Sequence, residues 1–376
     1  MHTTLTRSLS CVLAIVSALI GLAPAQVSAQ GGLDRMAPDT RTIFEEGNYF
    51  EMSWAAVSPR LEGEGGLLEP AGLGTGNILE SYDQWGFALK TDLNHRTSLS
   101  FILDQPWGVN TFYPQIATSG YSGTLANFES NELSTILRRK VNSNVSAYGG
   151  LRVQSIKARA AFPFGGLIGL PGPYEVDADR DEGLGFMAGA AYEIEKIKLR
   201  LAVTYYSEID TTHGTTEIAG TTEVNGVTDV TTPQSINIEF QSGVAKDTLA
   251  FGSVRWVDWS KFAISPPLFS GPTGIPLVEY SEDWITYTVG IGRKLTERIS
   301  IVFIFRHTPM TNQELTTLGP VDGRNAYTIA PSFKINRMTI TTGVSYIDTG
   351  DATNFAGTNF ADGRAFAVGT RLGFNF

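Results

Sequence analysis

The residue types most often used for catalysis are few and scattered in this sequence. After the first thirty residues the histidines are His95, His213 and His307, and the only cysteine of the whole chain is Cys11. No Gly-x-Ser-x-Gly elbow, His-Glu-x-x-His motif or phosphate-binding loop occurs. We therefore predict no catalytic residue, no cofactor and no metal site, and a lipid-hydrolysing enzyme has little support.

An acidic run at 177–183 comes nearest to a metal-binding pattern. Its alternating carboxylates resemble the start of a calcium loop. The glycine comes one position late, however, and Ala188 stands where the last ligand should be. We interpret the run as an ordinary acidic external loop, with weak binding of a divalent ion as the alternative.

The run at 161–171, AFPFGGLIGLP, is strongly apolar. It lies in one of the long links between predicted strands, and an exposed apolar surface of this size generally marks a binding or membrane-contacting site. We predict that it captures a hydrophobic ligand. The alternative is that it packs against the long link at 208–233 and needs no ligand. The candidate substrate-binding side chains are Phe162, Phe164, Leu167, Ile168 and Leu170.

The first residues have the pattern of a secretory signal. Arg7 precedes an apolar run from 9 to 22, and small residues stand at 27–29. The apolar run is shorter than the roughly 20 residues that a membrane-spanning helix needs. We predict a signal peptide at 1–29, cleaved near Ala29. Since Cys11 is removed with it, disulfides and thiolate metal sites cannot stabilise the mature chain.

From residue 48 onward, short segments alternate between apolar and polar residues and are bounded by Asn, Asp, Gly or Pro. In the last segment Phe366, Val368, Leu372 and Phe374 share one face, and small or polar residues share the other. Such strands fit a soluble sandwich or a membrane barrel. The candidate strands are 48–59, 83–93, 97–106, 124–140, 144–156, 184–194, 197–207, 234–245, 247–258, 284–293, 298–307, 325–335, 337–346 and 363–376.

The links between these strands decide between the two folds. Very short links, such as 94–96 and 141–143, alternate strictly with long ones, such as 60–82 and 157–183. Bacterial outer-membrane barrels have short periplasmic turns, long external loops and an even strand number. A closed barrel also satisfies every backbone hydrogen bond within lipid. We predict an all-β fold, a transmembrane antiparallel β-barrel of about 14 strands over 48–376, in a Gram-negative outer membrane.

The partners expected of such a chain follow from its location and charge. The C-terminal Phe376 resembles the terminal aromatic residue by which the barrel-assembly machinery recognises its clients. We expect contact with that machinery, with outer-membrane lipid and with lipopolysaccharide. The formal net charge of −10 argues against nucleic acid as a partner.

The segment 30–47 shows no alternation but contains apolar residues that would prefer burial. A barrel of this strand number has a lumen too wide for its own side chains to fill. We therefore predict a small N-terminal plug that enters the barrel from below. Its apolar residues are Leu33, Met36, Ile43 and Phe44.

Pro106 ends the third candidate strand and removes one hydrogen bond from the ladder. A kink or bulge is expected at Pro106, Trp107 and Gly108, and a kink in a barrel wall can open a gap toward the bilayer. The alternative is a strand that simply ends at a loop.

Several stretches resemble the long-chain fatty-acid transporter family of outer-membrane proteins, the FadL/TodX-like group (OMPP1). The most specific are the hairpin at 240–249 and the stretch at 254–262 with its Trp-x-x-Trp-Ser, and 104–108 also matches. The resemblance implies a barrel with an N-terminal hatch, an external hydrophobic groove and an inward kink of the third strand. The family's Asn-Pro-Ala after the hatch is missing, since 49–59 reads YFEMSWAAVSP.

The resemblance also implies passive uptake of fatty acids or other hydrophobic molecules, such as aromatic hydrocarbons, with lateral release through the barrel wall. Strand parity places Lys90, Arg152 and Arg255 in the lumen, where they are candidates for binding a carboxylate head group. The alternative for these cations is electrostatic lining of a wet lumen. The alternatives for the whole protein are a general diffusion porin or a structural outer-membrane protein.

Overall fold

A computed structural model describes residues 33–35, 39–69 and 72–376. The predicted signal peptide and the predicted plug residue Met36 lie outside these residues. Among the described residues, no helix is long and apolar enough to cross a membrane.

Fourteen antiparallel strands form a closed barrel, which confirms the predicted fold. The barrel strands are β1 (Tyr49–Glu64), β2 (Tyr82–Asn94), β3 (Thr97–Asp104) continued by β4 (Gly108–Phe112), β5 (Leu125–Lys140), β6 (Val145–Phe162), β7 (Tyr174–Ile194), β8 (Leu199–Tyr206), β11 (Ser235–Ala245), β12 (Thr248–Val257), β15 (Trp284–Lys294), β16 (Ile299–Thr308), β17 (Arg324–Ile335), β18 (Met338–Thr349) and β20 (Asn359–Asn375). β1 pairs with β2 on one side and with β20 on the other, so the ring has no open edge.

Shorter elements complete the chain. They are β9 (Ile209–Ala219), β10 (Thr222–Thr232), β13 (Ala263–Ile264), β14 (Val278–Glu279), β19 (Ala352–Thr353), helix α1 (Pro267–Thr273) and 3-10 helices at Thr40–Phe44, Pro163–Ile168, Glu195–Ile197 and Trp259–Lys261.

Side chains of the barrel strands alternate between a lipid-facing and a lumen-facing side. On β20, Phe366 is 56 % exposed whereas Ala365 and Ala367 are buried. On β8, exposed Leu201 and Val203 alternate with the buried residues between and beside them. Successive side chains of a strand point to opposite faces, so the two-residue period of the sequence becomes an apolar exterior and a largely polar interior.

The long-loop side contains more strand than the sequence pattern predicted. β7 begins at Tyr174, so the interpretation of 177–183 as a loop was wrong. The link 208–233 contains the hairpin β9–β10, and His213, expected in a loop, lies in β9. The outward residues of these extensions are polar, as at Asp179, Asp210 and Asp229. Without an apolar face toward lipid, a strand leaves little alternation of hydrophobicity in the sequence.

The opposite rim consists of tight turns, as the short links predicted. Asp247 joins β11 to β12 and Asn336 joins β17 to β18, and both adopt the left-handed conformation with φ near 56° and 55°. Asp and Asn tolerate this conformation better than other residues with a side chain. These turns set the register of their hairpins, because a two-residue loop leaves no slack.

The lipid-facing side of β18 provides a test of the membrane-spanning barrel. Val344 is 47 % exposed and lies opposite Val368 of β20. We expect Val344→Lys to destabilise the barrel by about 2–4 kcal/mol, since a cation would face hydrocarbon. The measurement is urea unfolding in lipid vesicles, read by heat-modifiable migration on gels. Asn359→Lys, on the external end of β20, is the control and should unfold like the unmodified protein. Equal unfolding of both variants would contradict a lipid-facing Val344.

Candidate functional site

The barrel wall is interrupted where β3 passes into β4. Asp104 lies opposite Glu132 of β5, and Gly108 lies opposite Glu129, so the β3–β4 strand has one residue more than its neighbour over this stretch. An extra residue of this kind is a β-bulge, which bends the strand and exchanges its two faces. The interruption falls on the residues predicted to form the kink, 106–108.

The bulge leaves a gap between β2 and β4. The ladder between β2 and β3 ends at Phe87, and residues 82–86 pair only with β1 among the described strands. The Trp85 backbone N–H donates instead to the Gln105 side-chain carbonyl at 3.1 Å. Side chains thus replace missing ladder bonds, as a backbone group near lipid requires.

Ser130 of β5 holds the other side of the bulge. Its hydroxyl accepts from the Trp107 backbone N–H at 2.8 Å and donates to the Trp107 carbonyl at 2.8 Å. One side chain therefore satisfies both backbone groups of a residue that has left the ladder. The interruption has a defined geometry and is not a frayed strand end.

Residues 33–35 cover the interruption from the lumen. The Gly108 backbone N–H donates to the Leu33 carbonyl at 2.8 Å, and the Arg35 backbone N–H donates to the Pro106 carbonyl at 2.9 Å. Asp34 and Trp107 form the bridge between these two bonds. The N-terminal segment thus adds a short antiparallel strand to the edge that the bulge exposes.

The Arg35 side chain fills the gap between β2 and β4. Its guanidinium carbon lies 4.2 Å from the centre of the Tyr82 ring on β2, and it donates to the Asn110 side-chain carbonyl on β4. A Cβ atom at Gly108 would come within 2.5 Å of the same guanidinium carbon. Glycine at this position therefore allows Arg35 to lie against the backbone.

Residues 39–48 occupy the lower lumen. Ile43 is fully buried among lumen-facing residues of β2, β3, β5, β6, β7 and β8. Phe44 lies between two guanidinium groups, with its ring centre 4.4 Å from Arg138 and 4.2 Å from Arg200, and it packs edge-on against Tyr148. Of the predicted plug residues, Leu33 and Ile43 are buried and Phe44 is half-buried. Cation–π contacts of this kind are strongest where water is excluded.

Burial shifts the pKa values of ionisable groups in this N-terminal segment. Burial raises the pKa of the Glu45 carboxyl to about 7, and the nearby Glu51 carboxylate adds to the shift. Burial also raises the pKa of Asp34, although Arg255, Arg324 and Arg306 oppose that effect. Burial thus favours the neutral form of the Glu45 carboxyl, whereas Asp34 has several cationic neighbours.

The three predicted lumen cations all face the interior. Lys90 donates to the Gly47 carbonyl at 2.7 Å and to the Asp92 carboxylate at 2.6 Å, near the periplasmic end. Arg152 makes a two-pronged pair with Glu132, at 2.8 and 2.7 Å, and both residues are buried. A bidentate pair of this kind satisfies most of the guanidinium, so Arg152 has little capacity for a further carboxylate.

Arg255 has a different environment. Its Nη1 donates to the Ser235 hydroxyl at 3.2 Å and to the Asn237 carbonyl at 3.0 Å. Its Nε lies 3.6 Å from the Asp34 carboxylate, and its guanidinium carbon lies 5.9 Å from the centre of the Trp107 ring. Arg255 thus connects the barrel wall to the residues that cover the interruption.

A mostly apolar cavity lies in the upper lumen beside these residues. It encloses about 680 Å³ not filled by protein atoms, part of it open to solvent. Its apolar lining includes Leu33, Val109, Ala126, Phe128, Ala158, Ala160, Val176, Ala178, Val230, Ile264, Leu277, Val278 and Leu318.

A second cavity lies between the first and the gap. It contains about 570 Å³ not filled by protein atoms, part of it open to solvent, and its lining shares Val109 and Gly319 with that of the first cavity. Its lining also includes Arg35, Tyr82 and Gly108, the residues that border and fill the gap. The two cavities are thus neighbours, and Arg35 lines the one that borders the interruption of the wall.

The sequence analysis missed an aromatic cluster that borders the upper cavity. Trp259 packs against Trp107 at 5.3 Å, against Tyr280 at 5.1 Å and against Trp284 at 5.6 Å between ring centres. Trp259 is the second tryptophan of the Trp-x-x-Trp-Ser stretch, so the signal was present but had no assigned role. Asp34, Arg35 and Tyr82 were also missed, because their roles depend on partners distant in the sequence.

The predicted substrate-binding run lies at the external end of the barrel. Phe162, Phe164 and Leu170 are buried, Ile168 packs against them, and Leu167 is 74 % exposed. The buried rings stack on each other and contact residues of three other external segments, Tyr121, Phe269 and Phe355. Most of the run therefore helps to build the external cap, and Leu167 alone among the five presents a large apolar surface to the medium.

The external cap also contains a buried carboxylate. Glu217 of β9 accepts from the Tyr174 hydroxyl at 2.7 Å and from the backbone N–H groups of Leu268 and Phe269, each at 3.1 Å. These hydrogen bonds fix the start of α1 against β9. Within the part of the chain that the structure describes, no three Asp, Glu, His or Cys side chains are grouped closely enough to hold a metal ion.

Three comparisons place this geometry among known proteins. A search of curated protein sequences gives no match. A crystal structure of a Pseudomonas aeruginosa FadL homologue is 13 % identical, with a TM-score of 0.74 over 94 % of this chain and 95 % of that one. The Ralstonia pickettii toluene transporter TbuX is 13 % identical, with a TM-score of 0.64 over 94 % and 97 %. The Pseudomonas putida toluene transporter TodX is 10 % identical, with a TM-score of 0.66 over 88 % and 90 %.

At these identities the likeness to solved structures shows the fold. The family assignment comes from the sequence itself, because the family model described as "Outer membrane protein transport protein (OMPP1/FadL/TodX)" matches residues 86–372. That range covers most of the barrel, including the kink, the aromatic cluster and the three lumen cations. The chain therefore belongs to the OMPP1/FadL/TodX family of outer membrane transport proteins.

Proposed function

We propose that this protein carries hydrophobic molecules, long-chain fatty acids among them, passively into the outer membrane of a Gram-negative bacterium. The external end captures the molecule, the upper cavity binds it, and the gap beside 106–108 releases it sideways into the lipid. The observation that carries the proposal is the pair of cavities whose linings share Val109 and Gly319, the second of which borders the interruption of the wall. Monoaromatic hydrocarbons are a second substrate class, favoured by the toluene transporters among the structural neighbours.

Apolar burial supplies enough free energy for capture. A chain of about fifteen methylenes gains roughly 12 kcal/mol when it leaves water, at about 0.8 kcal/mol for each methylene and before the costs of binding. Transfer of the chain from the cavity into lipid costs almost none of this free energy, because lipid is as apolar as the cavity. Lateral release therefore needs no chemical step and no energy source.

A general diffusion porin would need an open aqueous passage. We propose instead that residues 30–47 act as a plug, since Ile43 is buried within the ring of strands and Phe44 lies between Arg138 and Arg200. Export with cleavage near Ala29, recognition by the barrel-assembly machinery and contact with lipopolysaccharide belong to the same proposal.

The extra residue of the bulge provides the sharpest test of lateral release. Deleting Gln105 makes the β3–β4 strand equal in length to its neighbour, so the ladder can continue and the gap should close. We expect uptake of labelled oleate by cells to fall to the level of cells without the protein. Gln105→Ala keeps the extra residue and is the matched control, and it should retain uptake. Normal uptake by a correctly assembled deletion variant would rule out the gap as the exit.

The plug is tested by its aromatic anchor. Phe44→Ala removes the ring held between Arg138 and Arg200 and should let the segment move. We expect ion conductance in planar bilayers to rise well above that of the unmodified protein. Phe303→Ala removes a ring of the same size from the lipid-facing side, where it is 49 % exposed, and should not change the conductance. Equal conductance of the two variants would argue against a plug.

Capture at the external end is tested at Leu167. Its side chain is 74 % exposed, so Leu167→Asn should leave stability nearly unchanged, within about 0.5 kcal/mol. We expect a lower initial rate of oleate uptake at limiting concentration, because the landing surface loses its apolar side chain. Leu295→Asn, on an exposed periplasmic turn, is the control. If the Leu167 and Leu295 variants take up oleate at the same rate, Leu167 has no part in capture.

A further inference from the structure

Positive charge is concentrated at the periplasmic rim of the barrel, although the whole chain has a formal net charge of −10. The short turns and the strand ends beside them contain ten Lys and Arg residues but three Asp and Glu residues. These stretches are 94–97, 139–144, 195–198, 245–248, 293–298 and 335–337. The rim therefore has a local excess of positive charge, which attracts anions.

Some of these cations are occupied within the protein. Arg138 faces the lumen, is buried and is paired with Glu193. Lys294 is likewise buried and is paired with Glu297. Others, such as Lys140, line the periplasmic mouth. The remaining cations of the rim are exposed, lie outside the lining of the mouth and have no ion pair among the described residues. This set, the outer ring, consists of Arg139, Lys196, Lys246, Arg293, Arg298 and Arg337.

The strand pattern places members of the outer ring directly beside the lipid-facing surface. Leu137 and Ile291 are lipid-facing and are 48 % and 47 % exposed. Arg139 follows Leu137 by two residues on β5, and Arg293 follows Ile291 by two residues on β15. Residues two apart on a strand share a face and are separated by about 7 Å. The two guanidinium groups therefore lie on the outside of the barrel, one step beyond its apolar band.

Aromatic side chains mark the same depth. Phe374 of β20 is 42 % exposed and lies opposite Met338 of β18. The backbone N–H of the next residue, Asn375, donates to the Arg337 carbonyl at 3.0 Å. Exposed aromatic rings flank the apolar band of a membrane barrel at both interfaces. Arg337 thus lies at the level of the lipid headgroups, where a long cationic side chain keeps its stem against apolar surface and its charge in the polar layer.

Two members of the outer ring are brought together by Thr248. Arg293 lies opposite Thr248 in the ladder between β12 and β15, and its Nη1 donates to the Thr248 hydroxyl at 2.8 Å. The same hydroxyl donates to the Lys246 carbonyl at 3.1 Å. Arg293 is thereby fixed beside the turn that carries Lys246, and its other N–H groups remain available to an anion. Asp247 belongs to the same turn but forms no ion pair with either cation among the described residues.

We propose that the outer ring binds the phosphate groups of anionic phospholipids in the periplasmic leaflet of the outer membrane. The occupant follows from position and charge, because cations at the edge of a lipid-facing surface meet headgroups first. A phosphodiester supplies the acceptor oxygens that guanidinium and ammonium groups bind. An anionic headgroup is preferred to a zwitterionic one, since the zwitterionic lipid already carries its own cation. This inference goes beyond the proposed function, and transport does not depend on it.

A fluorophore on the rim provides the test. The mature chain is predicted to contain no cysteine, so Leu295→Cys, at a 57 % exposed position, carries a single label between Arg293 and Arg298. The labelled protein is reconstituted in phosphatidylcholine bilayers that contain a small fraction of nitroxide-labelled phosphatidylglycerol or nitroxide-labelled phosphatidylcholine. Quenching measures how much of each lipid gathers at the rim. We expect phosphatidylglycerol to quench several-fold more than phosphatidylcholine, and we expect high salt to reduce the difference.

Matched variants identify the cations responsible. In the labelled protein, Lys246→Gln combined with Arg293→Gln should lower the preference for phosphatidylglycerol by about fivefold for each charge removed. The control is Lys157→Gln combined with Arg364→Gln, which removes the same two charge types from exposed positions at the external end and should leave the preference unchanged. Arg293→Lys keeps the charge and should retain most of the preference. Heat-modifiable migration on gels checks that each variant is folded.

Three results would overturn the inference. The first is equal quenching by the two lipids in the unmodified rim. The second is an equal loss of preference in the external control, or in Arg293→Lys, because the rim charges would then not be what the lipid recognises. The third is reversal of the quenching difference by dissolved glycerol 1-phosphate, since the rim would then bind a soluble phosphate. Uptake of labelled oleate by the Lys246 and Arg293 double variant should be normal, so the proposed function stands or fails separately.

Discussion

Every backbone N–H and C=O group at membrane depth must have a partner, because lipid offers none. The pairing of β1 with both β2 and β20 closes the ring, so the barrel has no open sheet edge. The same constraint gives meaning to the interruption where the ladder between β2 and β3 ends at Phe87. At the β3–β4 bulge the freed groups bind Gln105, Ser130 and residues 33–35 instead. A site that needs so many substitutes for ladder bonds is costly to keep, and function is the usual reason for such a cost.

A second constraint acts on charge inside the lumen. An ion that loses water is stable only beside an opposite charge or a full set of hydrogen bonds. Arg152 meets this condition with Glu132, and Lys90 meets it with Asp92 and Gly47. Arg255 meets it through Ser235, Asn237 and the Asp34 carboxylate, and Asp34 belongs to the segment that pairs with the wall at Trp107. The electrostatics and the interruption of the wall therefore concern the same residues, although they lie far apart in the sequence.

The sequence predicted the fold well where lipid imposed a pattern. The number of strands, the short turns and the side chains that point to lipid could be predicted, because lipid selects apolar residues at every second position of a strand. Phe366 and Val368 are examples. The strand extensions at the external end could not be predicted from the sequence, because outward residues such as Asp179 and Asp210 are polar and give no alternation with apolar residues. Pro106 marked the bulge, but no local signal indicated that Asp34 meets Arg255 or that Arg35 lies on Tyr82. Burial of Phe162 and Phe164 likewise depends on rings from distant segments.

The direction of the proposed exit follows from a comparison of the periplasmic mouth with the gap at 106–108. The periplasmic mouth is lined by charged side chains such as Lys90, Arg138 and Glu193. A long apolar chain that left through this mouth would return to water and lose about 0.8 kcal/mol for every methylene. In the proposed mechanism the gap at 106–108 opens to lipid, where the same chain loses nothing. In the proposed mechanism, one extra residue in one strand replaces an exit that costs about as much free energy as capture gains by an exit that costs almost none.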